Sequence, residues 1–243
     1  MGSDIFNRSG LLLGSETLDR LSRVRVVIFG LGGVGSWCAE GLVRSGVTHL
    51  TVVDDDVITP SNVNRQLPAT SATIGRQKSE AMRDRLIEIN PDADIVAVQG
   101  SYSPETSSSY DLDSFDYVID AIDTLGCKAE LILKACDSKA VFFSSMGAAL
   151  KLDPTKVRVS EFWDVNGCSL AAALRRKFRH SGVFPSRKFQ CVWSPEALKN
   201  QPFVSDEEVH DTRKVAINGS MAPVTATFGM TLASMVIRHA AKF

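Results

Sequence analysis

Paired cysteines are missing from this sequence. The chain has five cysteines, Cys38, Cys127, Cys136, Cys168 and Cys191, and no two of them form a CxxC pair. Because the number of cysteines is odd, we do not expect a disulfide framework. Because CxxC pairs are lacking, we do not expect a structural zinc site. We therefore expect a protein of the reducing cytoplasm that holds no zinc.

A strong charge of one sign and an apolar leader are missing as well. The 27 Lys and Arg residues nearly balance the 28 Asp and Glu residues, so a nucleic acid would have to be bound by a local basic patch. The first ten residues, MGSDIFNRSG, lack the charged start and the long apolar run of a signal peptide. The sequence therefore predicts no export.

Charged residues are absent between Lys214 and Arg238, and a helix of that length could span a bilayer. Polar and helix-breaking residues interrupt this stretch, among them Asn218, Gly219 and Pro223. We therefore prefer a buried helix from about residue 223 to residue 240, with its proline in the first turn, to a transmembrane helix. No membrane span is expected.

Strand-like and helical segments alternate along the first 150 residues. Short apolar runs typical of buried strands are RVRVVIF, HLTVVD, DIVAVQ, YVIDAID and AVFFSS. Helical patterns separate them in VGSWCAEGLVRSG, in GRQKSEAMRDRLIEINP and near residues 126–138. This order predicts an α/β fold with a Rossmann-like, doubly wound, mostly parallel sheet and helices on both faces.

The second half of the chain is less regular but is not separated by a linker. KVRVSEFW and KFQCVWS look like strands, and the basic segment LAAALRRKFRH between them looks like a helix. We interpret the chain as a single domain. Its parts are an N-terminal arm or helix (1–23), a nucleotide-binding core (24–150) and an extension of the same sheet (151–243) that covers the mouth of the nucleotide site.

A glycine-rich turn follows the first strand. Gly30, Gly32 and Gly35 match GxGxxG between a strand and a helix, where backbone amides can approach a phosphate. Asp54 ends the next strand, nineteen residues beyond Gly35, where it can accept hydrogen bonds from ribose hydroxyls. These residues alone favour NAD(P) or FAD, and the alternative is a glycine turn that binds nothing.

The residues after Asp54 favour ATP instead. Arg65 lies just beyond the second strand and Lys78 begins the next helix, and both positions face the ligand crevice of such a sheet. An Arg and a Lys suit a triphosphate and would stabilise a leaving pyrophosphate. Asp123, at the end of YVIDAID, could hold the Mg²⁺ that accompanies ATP. The pattern therefore indicates adenylyl transfer.

Four blocks of this sequence resemble the E1-like superfamily, which activates carboxylates as acyl-adenylates. These blocks are GLGGVGSWCAEGLVRSG, LTVVDDDVITPSNVNRQ, IGRQKSEAM and YVIDAIDT, in this order. Within the superfamily the chain is similar to the tRNA threonylcarbamoyladenosine dehydratases, through SNVNRQ, KLDPTKVRVS, CVWSPEAL and VTATFGMTLAS. The resemblance implies ATP-dependent adenylation of the threonyl carboxylate on a modified adenosine beside the tRNA anticodon, followed by ring closure with loss of water.

The resemblance also implies a role for each matching residue. Asp54 would bind the ribose, Asn62 would orient the α-phosphate, and Asp123 would hold the metal. Arg65 and Lys78 would bind the β and γ phosphates, and these two are, with Asp123, the expected catalytic residues. The full expected nucleotide-binding set is Gly30, Gly32, Gly33, Gly35, Asp54, Asp56, Asn62, Arg65, Gln66, Lys78 and Asp123.

Partners follow from the same resemblance. An Arg near the N-terminus reaches across a dimer interface in the superfamily, and Arg8 in FNRSGLLLG occupies that position. It implies a homodimer, although a solvated charge on a terminal arm is an equally good interpretation. The resemblance also allows a monovalent cation that orders a loop and a sulfur-relay protein that docks on the surface.

Cys191 in KFQCVWSPE matches a position that carries cysteine in the dehydratases. It could act as a thiol nucleophile on the acyl-adenylate. The alternative, which we prefer, is a small buried hydrophobic side chain, because Phe189, Val192 and Trp193 flank it.

A local basic patch is the candidate tRNA-binding surface. It combines cations with two interleaved aromatic residues, Phe178 and Phe189, that could stack on splayed bases. The alternative is a solvated helix face that binds nothing. The cations of this patch are Arg175, Arg176, Lys177, Arg179, Arg187 and Lys188.

Two other functions remain open from the sequence. A sulfur-carrier adenylyltransferase would activate the diglycine tail of a small protein, but the paired CxxC motifs common in that branch are missing here. A nicotinamide-dependent oxidoreductase or a non-catalytic nucleotide-binding module has no obvious use for Arg65 and Lys78. Comparing the binding of ATP with that of NAD would separate these possibilities.

Overall fold

Seven strands form one sheet in the computed structural model, which describes residues 5–202 and 218–242. The strand order is β3-β2-β1-β4-β5-β7-β6, and all neighbours are parallel except β6 and β7. The predicted mostly parallel sheet is confirmed, and its predicted extension is the pair β7 and β6. The strands are β1 (Arg25–Phe29), β2 (His49–Val53), β3 (Asp94–Val98), β4 (Tyr117–Asp120), β5 (Val141–Ser145), β6 (Arg158–Glu161) and β7 (Gln190–Trp193).

Seven α-helices accompany the strands in the described ranges. Helices α2, α3, α4 and α7 contribute to the hydrophobic core on one face of the sheet, and α5 and α6 contribute to the core on the other. Alternate residues of β1 show this division, since Val26 and Ile28 belong to the first core and Val27 and Phe29 to the second. The helices are α1 (Asn7–Leu13), α2 (Ser15–Arg23), α3 (Gly35–Arg44), α4 (Lys78–Ile89), α5 (Leu125–Asp137), α6 (Ser169–Ser181) and α7 (Ala222–Ala241).

The uncharged tail forms helix α7, with its proline in the first turn as predicted. Small residues let it pack closely on α3: a Cβ on Gly41 would lie 2.9 Å from that of Ala233, and one on Gly229 would lie 2.4 Å from the Val34 carbonyl oxygen. Its apolar residues, such as Phe228 and Leu232, are buried in the core. Among the described helices none is long and apolar enough to cross a membrane.

The topology creates a crevice at one edge of the sheet. Strands β1 and β4 are neighbours, and the connections from them lead outward in opposite directions, to β2 and to β5. Ligands of such sheets bind where the strand order reverses, beyond the carboxyl ends of the strands. The turn after β1 and the loop after β4 therefore meet at the expected binding position.

Candidate active site

A cavity of about 560 Å³ opens at this edge of the sheet. The volume lies in the range of small-molecule and cofactor sites. Every residue of the expected nucleotide-binding set lines it except Gly35, and all described lining residues fall between residues 29 and 127. The lining members of the set are Gly30, Gly32, Gly33, Asp54, Asp56, Asn62, Arg65, Gln66, Lys78 and Asp123.

The described residues from 151 onward do not line the cavity, so covering of its mouth by residues 151–243 stays a prediction. Part of that extension, residues 203–217, lies outside the described residues. The extension does contact residues in the cavity wall or next to it. Asn64 donates to the Ser220 carbonyl at 2.8 Å, and a Cβ on Gly33 would lie 3.1 Å from Thr225.

Two glycines shape the turn between β1 and α3. Gly30 has a φ of 91°, and a Cβ there would lie 2.8 Å from the Ala121 carbonyl oxygen. Gly35 begins α3 so close to Gly30 that a Cβ would lie 1.8 Å from the Gly30 carbonyl oxygen. Gly35 therefore acts by permitting the close approach of helix and strand, while Gly32 and Gly33 line the cavity.

Asp54 is fixed in the cavity wall by backbone amides. Its two carboxylate oxygens accept hydrogen bonds from Leu31 N at 2.6 Å and from Asp56 N at 2.9 Å. Burial raises the pKa of this carboxyl above its ordinary value, and the nearby Lys78 ammonium opposes the rise. Each oxygen keeps a second lone pair, so Asp54 can still accept from a hydroxyl.

Lys78 and Arg65 place positive charge in the same cavity. Lys78 is 5% exposed, and its ammonium donates to Asp56 Oδ2 at 2.6 Å. The Arg65 guanidinium donates to the Ser61 carbonyl at 2.9 Å and to Asn64 Oδ1 at 2.8 Å. Both cations are therefore positioned by protein contacts, as a site for phosphate groups requires.

Two amide side chains complete the wall. Asn62 Oδ1 accepts from Thr59 N at 3.2 Å and closes a capping box at the short helix Pro60–Asn62. Gln66 is 6% exposed, and its Oε1 atom has no hydrogen-bond partner among the described residues. A buried acceptor without a partner is costly. Because the Gln66 Oε1 atom lies in the cavity wall, a bound ligand could donate a hydrogen bond to it.

Carboxylates in the cavity fit a divalent cation. Asp54, Asp55 and Asp56 hold carboxylate oxygens within 4.8 Å of one another, but Lys78 already pairs with Asp56. Asp123 is exposed and lines the cavity from the opposite side, on the loop after β4. Carboxylate oxygens and open positions for phosphate and water are the ligands that Mg²⁺ prefers.

A buried ion pair beneath the Asp123 loop was not assigned a role from the sequence. The Lys128 ammonium lies 2.7 Å from Asp120 Oδ2, both side chains are fully buried, and the ammonium also donates to the Ile122 carbonyl at 2.9 Å. Asp120 also accepts from Ile122 N at 3.0 Å and from the Ser144 hydroxyl at 2.6 Å. These contacts hold the loop that carries Asp123. The signal in the sequence was the lysine that follows YVIDAID.

Two candidate catalytic residues lie away from the cavity. Arg8 is exposed on α1 and does not line the cavity of this chain, so its role across a dimer interface stays a prediction. Cys191 lies in β7 with 0% of its surface exposed, and burial raises the pKa of its thiol well above the ordinary value. This placement favours the buried hydrophobic side chain over the nucleophile.

The basic patch divides into two groups. Arg175 is half-buried and donates to the carbonyls of Phe162, at 3.1 Å, and Val165, at 2.7 Å. Arg187 donates to the carbonyls of Ala135 and Ala140. These two arginines therefore stabilise the local backbone through hydrogen bonds. The other four cations are exposed: Arg176, Lys177, Arg179 and Lys188.

The aromatic part of the expected patch is corrected by the structure. Phe178 and Phe189 are buried in the core between α5, α6 and the sheet, so neither ring is free to stack on a base. Phe178 faces inward because it lies four residues after Leu174, on the same buried face of α6. The exposed aromatic residues of this region are Trp163 and Phe184.

Comparison with known proteins assigns the chain to a family. The model of the ThiF family matches residues 6–243. The tRNA threonylcarbamoyladenosine dehydratase of Haemophilus influenzae is 37% identical over 238 residues, which cover 96% of this chain and 91% of the relative. By contrast, the molybdopterin-synthase adenylyltransferase of Salmonella typhimurium is 31% identical over 150 residues, or 61% of this chain.

A solved structure gives the same assignment. The crystal structure of Escherichia coli tRNA N6-threonylcarbamoyladenosine dehydratase in complex with ATP superimposes with a TM-score of 0.84 and 30% identity. The match covers 97% of this chain and 93% of that chain. The chain belongs to the ThiF family, and its full-length similarity is to those members named tRNA threonylcarbamoyladenosine dehydratases.

Proposed function

We propose that this protein is an ATP-dependent tRNA threonylcarbamoyladenosine dehydratase. The observation that carries the proposal is the cavity in which Arg65, Lys78 and Asp123 surround the glycine turn at the switch point of the sheet. Full-length similarity to dehydratases, one of them solved with ATP, supports the substrate. Membership of a family of acyl-adenylating enzymes supports the reaction type.

In the first step the threonyl carboxylate attacks the α-phosphate of ATP. A bond forms between a carboxylate oxygen and the α-phosphorus, and the bond from this phosphorus to the bridging oxygen breaks, so that pyrophosphate leaves. The Lys78 ammonium and the Arg65 guanidinium neutralise the growing charge on the leaving group. Asp123 would hold Mg²⁺, which supplies further positive charge on the phosphates when it is bound.

In the second step the neighbouring carbamoyl group attacks the activated carbonyl carbon. The new ring bond forms as the bond from this carbon to the AMP oxygen breaks, and the carbamoyl group loses a proton. The oxygen lost from the nucleoside leaves on AMP, so the nucleoside loses one water in total. Because the attack is intramolecular, the chain needs to supply orientation and little further catalysis.

A homodimer belongs to this proposal, with Arg8 reaching the nucleotide of the partner subunit. Helix α1 has no buried residue, and Leu11 and Leu12 are 89% and 81% exposed. These leucines follow Arg8 by three and four residues, so all three lie on one helix face. An exposed apolar face around an arginine suits contact with a second copy, and the mass of the protein in solution tests it.

Other parts of the proposal rest on the resemblance alone. They are a monovalent cation that orders a loop and a sulfur-relay protein that docks on the surface. A cytoplasmic location, also part of the proposal, rests on the odd number of cysteines and the lack of CxxC pairs. The alternative function, activation of a small sulfur-carrier protein, is disfavoured because the molybdopterin-synthase adenylyltransferases of Salmonella typhimurium and Escherichia coli match only 61% and 67% of this chain.

The test compares the substrates directly. The protein is incubated with ATP and Mg²⁺, either with tRNA that bears threonylcarbamoyladenosine or with a small carrier protein that ends in two glycines. We expect AMP and pyrophosphate with the tRNA and neither with the carrier. Release of pyrophosphate with the carrier alone would establish the adenylyltransferase instead, and NAD binding without ATP binding would contradict both.

A further inference from the structure

One surface of the molecule is rich in positive charge. Between residues 165 and 189 the chain has six Arg and Lys residues and no Asp or Glu. With Arg175 and Arg187 bound to backbone carbonyls, four exposed cations remain, and none forms an ion pair within the part of the chain that the structure describes. These are Arg176, Lys177, Arg179 and Lys188.

Two exposed aromatic rings lie among these cations. Phe184 and Trp163 are 48% and 37% exposed, and their ring centroids are 6.1 Å apart. The Arg179 guanidinium carbon lies 5.9 Å from the centroid of the Trp163 ring. Trp163 is held in place by the buried Phe162, whose ring centroid is 5.2 Å away. The exposed rings of Phe184 and Trp163 thus lie next to cations that form no ion pair with the described residues, and the buried core supports them.

This aromatic–basic surface lies away from the cavity. Arg187 contacts the carbonyl of Ala140, just before β5 begins, whereas the cavity lies where β1 and β4 end. Trp163 follows the edge strand β6, which is three positions from β4 in the sheet. Three strand spacings are about 14 Å. Because β6 is antiparallel, its carboxyl end also lies at the opposite edge of the sheet from the carboxyl ends of β1 and β4. A partner that contacts both places in one chain must therefore extend around the sheet, as a macromolecule can.

We propose that Phe184, Trp163 and Arg179 bind an unpaired nucleotide of the substrate tRNA, remote from the adenosine that reacts in the cavity. The inference rests on the proposed function, which supplies the tRNA. A base stacks on the exposed face of Phe184 with Trp163 beside it, and Arg179 contacts the adjoining phosphate. An acidic protein would use the cations, but its carboxylates would leave the two ring faces without a role.

The experiment measures binding of an unmodified tRNA transcript to the full chain by fluorescence anisotropy, without ATP. We expect Phe184→Ala to weaken binding by about tenfold and Phe184→Tyr to restore it. Arg179→Gln weakens binding and lowers the slope of log affinity against log salt by about one. The matched control is Arg238→Gln, because Arg238 is also an exposed arginine in the last turn of a helix, on the other face of the sheet.

The outcomes separate the inference from the proposed function. ATP affinity is expected to stay unchanged in every variant, and in tRNA turnover Phe184→Ala raises KM with kcat unchanged. Wild-type affinity in both Phe184→Ala and Arg179→Gln would overturn the inference. Weakening in Arg179→Gln alone would also overturn it, in favour of a site that binds by charge only. If tRNA binds but its modified nucleoside loses no water in the presence of the protein and ATP, the proposed function is contradicted. The binding measurements on the Phe184 and Arg179 variants still decide the inference in that case.

Discussion

At the residue scale, the charged groups of the cavity are largely positioned by the protein itself. Lys78 is held by Asp56 and Arg65 by Ser61 and Asn64, while Asp54 is held by two backbone amides. Such positioning limits the reorganisation needed when negative charge develops. Asp123 differs, because it is exposed and makes no hydrogen bond or ion pair with the described residues. Asp123 is therefore available to a metal ion, and so is Asp55, which is also exposed in the cavity without a hydrogen bond or ion pair to the described residues.

Asp123→Ala is expected to lower AMP formation by at least about a hundredfold, because the charge of the metal on the phosphates is lost with its ligand. The measurement is AMP release from ATP in the presence of modified tRNA. Asp92→Ala, at an exposed aspartate outside the cavity, serves as the control and is expected to keep the wild-type rate. An unaffected rate in Asp123→Ala would remove this residue from the metal role.

Lys128→Met is expected to lower the free energy of unfolding by about 3–5 kcal/mol, because it leaves Asp120 as a buried charge without its cation. Denaturant unfolding measures the change. Lys134→Met, on the exposed side of the same helix, is the matched control and is expected to change stability by less than about 0.5 kcal/mol. Equal costs in the two variants would show that the ion pair does not hold the loop.

At the scale of elements, helix α7 supports helix α3, which follows the glycine turn of the cavity. Gly229 of α7 lies directly over the first turn of α3, where a Cβ would come within 2.8 Å of Cys38 N. The position of the glycine turn therefore depends on a segment that lies far from it in the sequence. This packing also explains the apolar character of α7, since residues such as Phe228 and Leu232 are buried in the core that α7 shares with α3.

Gly229→Ala is expected to lower the free energy of unfolding by about 1–3 kcal/mol and to weaken ATP binding, because the added methyl group pushes the Val34 carbonyl and the glycine turn away. Thermal unfolding and ATP titration measure the two effects. Gly126→Ala is the control, because a Cβ there meets nothing within 4 Å. Wild-type stability and ATP affinity in Gly229→Ala would contradict the role of this contact.

Helices α3 and α4 are joined by Glu40. Its carboxylate accepts from Arg85 at 2.6 Å and from Arg44 at 2.8 Å. Burial alone would raise the pKa of Glu40, but the two guanidinium groups outweigh it and hold the pKa below the ordinary value. A carboxyl group with a lowered pKa stabilises the fold above its unfolded pKa, and this stabilisation is lost as the pH falls through the folded pKa.

Glu40→Gln is therefore expected to lower the free energy of unfolding by about 1–2 kcal/mol at neutral pH. The difference between variant and wild type should shrink as the pH falls below the ordinary glutamate value of 4.5, because this residue is then protonated in the unfolded chain, and it should vanish once the pH passes the lower pKa of Glu40 in the folded protein. Denaturant unfolding between pH 3 and pH 7 measures it. A difference that stays constant over this range would contradict the electrostatic interpretation.

At the scale of the whole molecule, the sequence predicts the sheet, its helices and the edge at which the site lies. Glycine spacing and the alternation of apolar runs suffice for this, because both follow from local backbone geometry. The pairing of Lys128 with Asp120 and the burial of Phe189 depend on contacts between distant segments. Their partners become known only when α5 and α6 are packed on the sheet.

The position of the basic surface also could not be predicted from the sequence. The charges of Arg176 and Arg179 are plain in the sequence, but their distance from the cavity depends on β6 being an antiparallel edge strand. In the proposed function, that arrangement would separate the surface that holds the RNA from the cavity in which the RNA reacts. A long substrate is then bound at two points, and a small analogue of its modified nucleoside would use only one.

The most direct test is the mass of the modified nucleoside. The protein is incubated with ATP, Mg²⁺ and tRNA bearing threonylcarbamoyladenosine, and the tRNA is digested gently and its nucleosides are weighed by mass spectrometry. We predict that this nucleoside loses one water only when ATP is present, with one AMP formed for each conversion. An unchanged mass in the presence of bound ATP and bound tRNA would contradict the proposed dehydratase function.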